Sequence, residues 1–287
     1  MSNAPDTVAA LLADAAARIG GDSPRLDAEL LLEAVLDRNP TWFRTWPEHE
    51  VAPADAARFR TLVERRVAGH PVAHLLGHRG FWTLTLEVSD RTLIPRPDTE
   101  CLVEATLALP LPEQARVLDL GTGTGAIALA LASEKPDWSV SATDAVEDAV
   151  ALARRNAERL GLSVQVHRSH WFRNLTAAGF DLIISNPPYI AESDHHLDEG
   201  DVRFEPASAL VAGADGLDDI REIAATAPDW LQPGGWLLVE HGYDQGAAVR
   251  DLFLAAGFSE VETGRDYGDN DRYTLGRIGK GECNADG

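Results

Sequence analysis

Two cysteines are few for 287 residues. Cys101 and Cys283 form no CxxC pair, so neither a disulfide framework nor a zinc site is indicated, and a reducing cytoplasm fits. Lysine is scarcer still relative to its usual share. Lys135 and Lys280 are the only lysines among 25 basic residues, which face 46 acidic ones, for a net charge of −21. A field of that sign repels phosphate backbones and argues against direct nucleic-acid binding, while leaving a basic protein partner open. Much of it is also the ordinary solvated surface of an acidic protein. No run of about 18 apolar residues is present, so no membrane span is expected. The first twenty residues lack a basic region and a continuous apolar run, and read as an amphipathic helix, not a signal peptide. With 45 % hydrophobic residues there is material for a normal core, and the length suits one large domain plus a small one.

The first eighty residues carry helical periodicity. Val8, Leu11, Leu12, Ala15 and Ile19 share one face, and Ser23 before Pro24 is a helix-start signal followed by a stripe of Leu26, Leu30, Leu31 and Val35. Pro53 opens a further helix to about Val67. Trp42, Phe43 and Trp46 are expected in the core of this small bundle. Residues 81–88 read as a strand, Ser89-Asp90 as a turn, and residues 92–94 as a returning strand. From residue 98 strands alternate with helices: strands at 116–120, 140–143, 164–167, 182–185 and 236–240, helices at 126–132 and 149–160. Alternation of this kind gives βαβ units and a mainly parallel sheet. Two last strands, 260–263 and 272–277, flank a polar loop and close the sheet as an antiparallel hairpin, as in class I methyltransferases. The expected division is therefore a helical substrate-docking domain at 1–79, a hairpin linker at 80–97, an α/β Rossmann-like domain with a seven-stranded sheet at 98–278, and a flexible tail at 279–287.

Residues 117–125 run from a strand into Gly121-Thr122-Gly123-Thr124-Gly125 and then a helix. Glycines permit close backbone approach to a ligand, and Asp144 ends the next strand at the distance where a carboxylate meets ribose hydroxyls. The loop alone is ambiguous, because Gly121, Gly123 and Ala126 also satisfy the relaxed dinucleotide fingerprint. What discriminates is the strand at 180–185, which ends in Asn186-Pro187-Pro188-Tyr189. Two prolines stiffen the backbone and remove two N–H donors. The side-chain carbonyl of Asn186 and the backbone carbonyl of Pro187 are then two rigid acceptors for one NH2 group. An amide or aromatic amine is a poor nucleophile because its lone pair is delocalised. Holding both of its N–H bonds disfavours that planarity and aims the nitrogen at an electrophile, and Tyr189 can stack on the planar group.

The chain resembles the peptide-chain release factor glutamine-N5 methyltransferases. The resemblance is carried by residues 23–31, by Leu93-Ile94-Pro95-Arg96-Pro97-Asp98-Thr99-Glu100, by the glycine loop, by the Asn186 motif, and by residues 200–206 and 265–270. It implies S-adenosylmethionine as cofactor, with Gly121, Thr122, Gly123, Thr124 and Gly125 at its methionine part, Asp144 at the ribose, Trp171 near the adenine, and Asn186 spanning cofactor and substrate. It also implies that Asn186, Pro187, Pro188 and Tyr189 bind the target glutamine of a Gly-Gly-Gln loop, with Asn186, Pro187 and Tyr189 as the catalytic set and release factors as the protein partner. His170 departs from the pattern, standing where an acid is expected beside the adenine amine. A monomer without a metal site is expected. The alternatives are an adenine-N6 nucleic-acid methyltransferase, for which Asn-Pro-Pro-Tyr would also serve, a nicotinamide oxidoreductase, and a noncatalytic cofactor-binding adaptor. His195 and His196 sit in an acidic stretch, residues 190–219, that holds nine acids and one base, Arg203, and reads as a mobile solvated lid. Arg96, stiffened between two prolines, is a further functional candidate.

Overall fold

The structure is a computed structural model that describes residues 6–194, 197 and 200–279. The expected tail beyond Gly279, Cys283, and the pair His195 and His196 lie outside those residues. The chain divides into two compact units, one of residues 1–78 with 195–204 and one of residues 79–194 with 205–287.

The first unit contains α1 (Val8–Arg18), α2 (Pro24–Leu36), α3 (Pro40–Thr45), α4 (Pro53–Val67) and α5 (Val72–Leu76). Proline opens α2, α3 and α4, where its missing N–H costs nothing. Ser23 precedes α2 without donating or accepting a side-chain capping bond, whereas Asn39 caps α3 by accepting from the Trp42 N–H at 2.9 Å. Leu11, Leu12, Leu31, Leu32, Phe43, Phe59 and Val63 fill the core. Two expectations fail here. On α2 the buried residues are Ala28, Glu29, Leu31 and Leu32 and Val35 packs against the core, so of the expected stripe it is Leu26, 54 % exposed, that faces away. Trp46 is also largely exposed, while its neighbours Trp42 and Phe43 pack inward. Arg66 of α4 gathers the unit by ion pairs to Asp27 and to Asp201, each at 2.7 Å.

The second unit is a seven-stranded sheet of order β5-β4-β3-β6-β7-β9-β8, formed by β3 (Arg116–Leu120), β4 (Ser139–Asp144), β5 (Val164–Arg168), β6 (Phe180–Ser185), β7 (Leu231–Glu240), β8 (Phe258–Arg265) and β9 (Asp271–Ile278). The first five run parallel, and β9 is antiparallel to both β7 and β8. This is the expected α/β architecture with its antiparallel close. Leu118, Ile183 and Leu237 bury into one core cluster, Val117, Leu182 and Leu238 into another, as strands covered on both faces require. α6 (Glu100–Ala108), α7 (Ala126–Glu134), α8 (Glu147–Leu160), α9 (Asp218–Thr226) and α10 (Gly246–Ala255) complete the unit. Among the described residues no helix is long and apolar enough to cross a membrane.

The hairpin lies elsewhere than expected. β1 (His78–Phe81) and β2 (Leu84–Glu87) pair across a turn at Trp82-Thr83, and residues 92–94 form no strand. Distant side chains decide this. The Trp82 backbone N–H donates to Glu100 at 2.9 Å and its indole N–H to Glu134 at 2.6 Å, holding Trp82 at a φ of 56°. The Ile94 N–H donates to the buried Glu205 carboxylate at 2.7 Å, so its backbone is satisfied without a ladder. Glu205 also pairs with Arg96. Glu205→Ala, which orphans that N–H and the guanidinium together, is expected to cost about 2–4 kcal/mol in urea denaturation, and Glu205→Gln distinctly less, because it keeps an acceptor. Equal midpoints for wild type and Glu205→Ala would rule out this clamp.

Candidate active site

Strands β4 and β6 flank β3 on opposite sides, so the chain leaves β3 one way and returns to its other edge. A crevice opens at the carboxyl ends of such strands, and a cavity of about 300 Å³ lies there. All its lining residues belong to the second unit.

The glycine loop forms its floor. Asp119, 1 % exposed in β3, accepts from the Thr122 hydroxyl at 2.6 Å and from the Ala128 N–H at 3.3 Å, tying the loop to the first turn of α7. Gly121 has a φ of 69°, and a Cβ there would stand 3.1 Å from the Trp171 ring, so the indole can close on the backbone only where no side chain intervenes. Gly125 has another reason. A Cβ on it would come within 2.9 Å of Leu129 and 3.3 Å of Ala153, and it does not line the cavity, so its role in the structure is helix packing. Asn156, fully buried on α8, donates to the Thr124 carbonyl at 2.9 Å and accepts from the Glu87 N–H at 2.8 Å, fixing the loop from behind.

Asp144 closes β4. One carboxylate oxygen accepts from Gly123 N–H and the other from Val146 N–H, both at 2.9 Å. Burial pushes its carboxyl up, opposed by those two donors. Each oxygen retains a lone pair for a ligand hydroxyl. Across the cavity Trp171, at a φ of 47°, is buried next to His170. Asp219, in the first turn of α9, lines the same cavity, its carboxyl raised by burial against the opposing influence of the Trp171 side chain.

The Ser185 hydroxyl donates to the Leu120 carbonyl at 2.8 Å and stitches the ends of β6 and β3 together. The next residue, Asn186, lines the cavity and donates its side-chain N–H to the Thr99 hydroxyl at 3.0 Å, which leaves its carbonyl oxygen as a free acceptor. Pro188 lines the cavity too. Pro187 and Tyr189 do not. Pro187 is buried, and the Tyr189 hydroxyl donates to the buried Glu240 at 3.2 Å. Of the expected set, Gly121, Thr122, Gly123, Thr124, Asp144, Trp171, Asn186 and Pro188 therefore share one cavity. Thr99 and Asp219 are additions to that lining, and Glu240 lies outside it, bonded to Tyr189. Thr99 stands in the motif around Arg96, which lines the cavity as well, but nothing local marked the other two. Cys101 is buried with its thiol pushed up to about 12, chiefly by desolvation, which makes it an inert core residue.

Among known proteins, a family model described as "Methyltransferase small domain" matches residues 98–213, and one described as "PrmC N-terminal domain" matches residues 9–77. A release factor glutamine methyltransferase of Pseudomonas aeruginosa is 60 % identical over 89 % of the chain and 94 % of its own length. The protein of the same name from Escherichia coli is 54 % identical over 89 % and 93 %. A crystal structure of a methyltransferase from Pyrococcus furiosus superposes with a TM-score of 0.53 at 21 % identity, covering 68 % of this chain and 88 % of that one, a likeness of fold.

Burial raises the Asp119 carboxyl to about 7, offset in part by its Thr122 and Ala128 donors. The folded chain therefore keeps a proton there that the unfolded chain, with an ordinary carboxyl near 3.8, has lost. Stability is expected to fall as pH rises from about 4 to about 7 on this account. Asp119→Asn should remove that component, so urea midpoints at about pH 5 and pH 8 should differ less in the variant than in wild type. Parallel pH dependences would contradict the assignment.

Proposed function

The chain belongs to the release factor glutamine methyltransferase family, and we propose that it methylates the side-chain amide nitrogen of the glutamine in the Gly-Gly-Gln loop of peptide-chain release factors. The observation that carries this reading is Asn186: rooted at the end of β6, with its NH2 engaged by Thr99, it offers a fixed carbonyl acceptor to the cavity.

The cavity suits S-adenosylmethionine. The Asp144 carboxylate would take the ribose hydroxyls, the Gly121 and Gly123 backbone the methionine part, and Trp171 with Asp219 the adenine, an aromatic face beside an acceptor for an exocyclic amine. When bound, the cofactor supplies an electrophilic methyl group on a sulfonium. The residues of this chain bind and orient. Asn186 accepts one N–H of the target amide, the Pro187 carbonyl is the second acceptor, and the ring of Tyr189 flanks the amide plane, its hydroxyl being committed to Glu240. Such orientation is worth several kcal/mol, and no strong base is required because an alkylated amide nitrogen readily sheds its proton.

The helical unit, with a core of its own and no residue in the cavity lining, is suited to docking the protein substrate. The net charge of −21 supports a protein substrate over nucleic acid. On this reading the enzyme acts as a single chain in the cytoplasm, where translation terminates.

Labelled methyl from S-adenosylmethionine should enter release factor, but not a version whose loop glutamine is alanine, nor DNA. Label in DNA, or equal label in both proteins, would refute the substrate assignment. Asn186→Ala should slow single-turnover transfer by about a hundredfold or more, from an unpaired amide hydrogen costing about 1–3 kcal/mol plus lost orientation. Much of the cofactor affinity should survive it. Asp144→Asn should instead weaken cofactor binding by about tenfold to a hundredfold in calorimetry, as a charge-assisted acceptor is lost. Wild-type rate in the first variant or wild-type affinity in the second would remove that residue from its role.

A further inference from the structure

We propose that Tyr243 and Tyr267, presented on two braced turns beside the Asn186–Tyr189 segment, form the surface that receives the polypeptide flanking the target glutamine, and that this polypeptide is cationic. The inference rests on the function proposed above and adds to it the chemistry of what surrounds the glutamine.

Both turns lie at the edge of the sheet where the cavity opens. Val239 of β7 is in register with Ser185 of β6, and Glu240, which ends β7, with Tyr273 of β9. Because β9 runs antiparallel to β7, the β8–β9 turn falls at the carboxyl end of β7, and the His241 N–H donates to the Arg272 carbonyl at 2.9 Å, holding the two connections together. After β7 the chain turns tightly. The Gln245 N–H donates to the Gly242 carbonyl at 3.0 Å, and the Gly242 N–H to the Gln245 side-chain oxygen at 2.8 Å, which leaves Tyr243 and Asp244 at the tip. The Gln245 NH2 then donates to the Tyr189 carbonyl at 2.9 Å, so this turn is bonded to the segment assigned to the target amide. The second turn is built on Asp266, whose carboxylate accepts from the Gly268 and Asn270 N–H groups at 2.8 and 3.1 Å. The hydroxyl of the intervening Tyr267 donates to Glu104 of α6 at 2.9 Å. α6 begins immediately after Thr99, which lines the cavity and bonds Asn186. α6 packs into one core cluster, and α10, which follows Tyr243, into the other, so the two turns stand beside the Asn186–Tyr189 segment toward opposite faces of the sheet.

The rings are uncovered. Tyr243 is 66 % exposed and Tyr267 58 %. Both turns are closed by backbone groups and by the side chains of Gln245 and Asp266, so neither ring is needed to fold them. A ring fixed on a braced turn offers contact area with little conformational entropy left to lose, the property that makes tyrosine a frequent anchor of protein surfaces. The charge around the rings sets the sign of the partner. Asp98, Glu104 and Asp244 are exposed on the same rim. The arginines of the region are already committed, Arg265 to Asp269 at 2.8 Å and Arg272 to Asp266 at 2.9 Å. An arginine or lysine laid over a tyrosine ring gains from the negative face of the ring and from a carboxylate beside it, whereas an acidic segment meets repulsion on the same ground. The occupant is therefore the stretch of substrate on either side of the glutamine, laid across the edge with basic side chains on the rings.

The test measures steady-state methylation of release factor at saturating cofactor by wild type, Tyr243→Ala, Tyr267→Ala, Tyr267→Phe and Asp244→Lys. Each alanine variant should raise KM for release factor by about tenfold, the effect of losing a moderate aromatic anchor, with kcat and cofactor affinity within about threefold of wild type. Tyr267→Phe keeps the ring and loses the bond to Glu104, so its KM should lie between those of wild type and Tyr267→Ala. Asp244→Lys should raise KM at low ionic strength. The wild-type KM should rise with salt, and that of Asp244→Lys should rise less. A wild-type KM in both alanine variants overturns the surface. So does a fall in kcat at unchanged KM, which would mean that the turns only brace the Asn186–Tyr189 segment. A wild-type KM indifferent to salt, or a KM unchanged in Asp244→Lys, overturns the cationic occupant. If an alanine variant does not fold, the salt dependence and Asp244→Lys decide by themselves. Release factor left unmethylated by wild type refutes the substrate assignment and takes this surface with it, whereas methylation with a normal KM in every variant refutes the surface alone.

Discussion

Strands β3 and β6 lie side by side, yet their carboxyl ends send the chain to opposite flanks of the sheet. A parallel sheet covered on both faces has nowhere else to place polar backbone groups that meet a ligand, so the glycine loop and the Asn186 segment emerge at this one edge. The edge is pinned by a few bonds. Ser185 reaches across to Leu120, Asp119 binds the loop and the start of α7, and Thr122 N–H donates to the Thr143 carbonyl of β4 at 2.8 Å. Rigidity here matters because an acceptor a fraction of an ångström out of place orients nothing.

The protein is strongly acidic, yet its most consequential acids are inside. Asp119, Asp144 and Glu240 are all raised by burial, and each is held by donors from neighbouring elements. Asp119 shapes a loop, Asp144 lines the cavity, and Glu240 accepts from the Tyr189 hydroxyl. The remaining acids make most of the −21 charge. The turn between β8 and β9 uses one of them as a hub: Asp266 accepts from Gly268, Asn270 and Arg272, and so anchors the arginine that bears on Glu240.

Much of this was legible from local pattern. The apolar strands β3 and β6, the glycine loop and the Asn-Pro-Pro-Tyr segment announce themselves because their physics is local: burial on both faces, positive φ, missing donors. The failures are long-range. The β1–β2 turn falls at Trp82 because glutamates 18 and 52 residues away bind its N–H groups. Residues 92–94 stay out of a ladder because Glu205, 111 residues on from Ile94, takes the N–H. On α2 several leucines compete for burial, and only the packing of α1 and α4 selects Leu31 and Leu32 over Leu26. Tyr189 turns to Glu240, and Asp219 arrives beside Trp171 from a different helix, through contacts no window of sequence contains.

The central claim is that this edge holds a glutamine amide nitrogen in line with a methyl donor. It is tested most directly by locating the transferred methyl. Release factor carrying nitrogen-15 in its glutamine side chains would be incubated with the enzyme and S-adenosylmethionine bearing a carbon-13 methyl, and the product examined by NMR. The account predicts a methyl carbon with one-bond coupling to the side-chain nitrogen of a single glutamine. A methyl signal without that coupling, bonded to another residue or to the backbone, would contradict it.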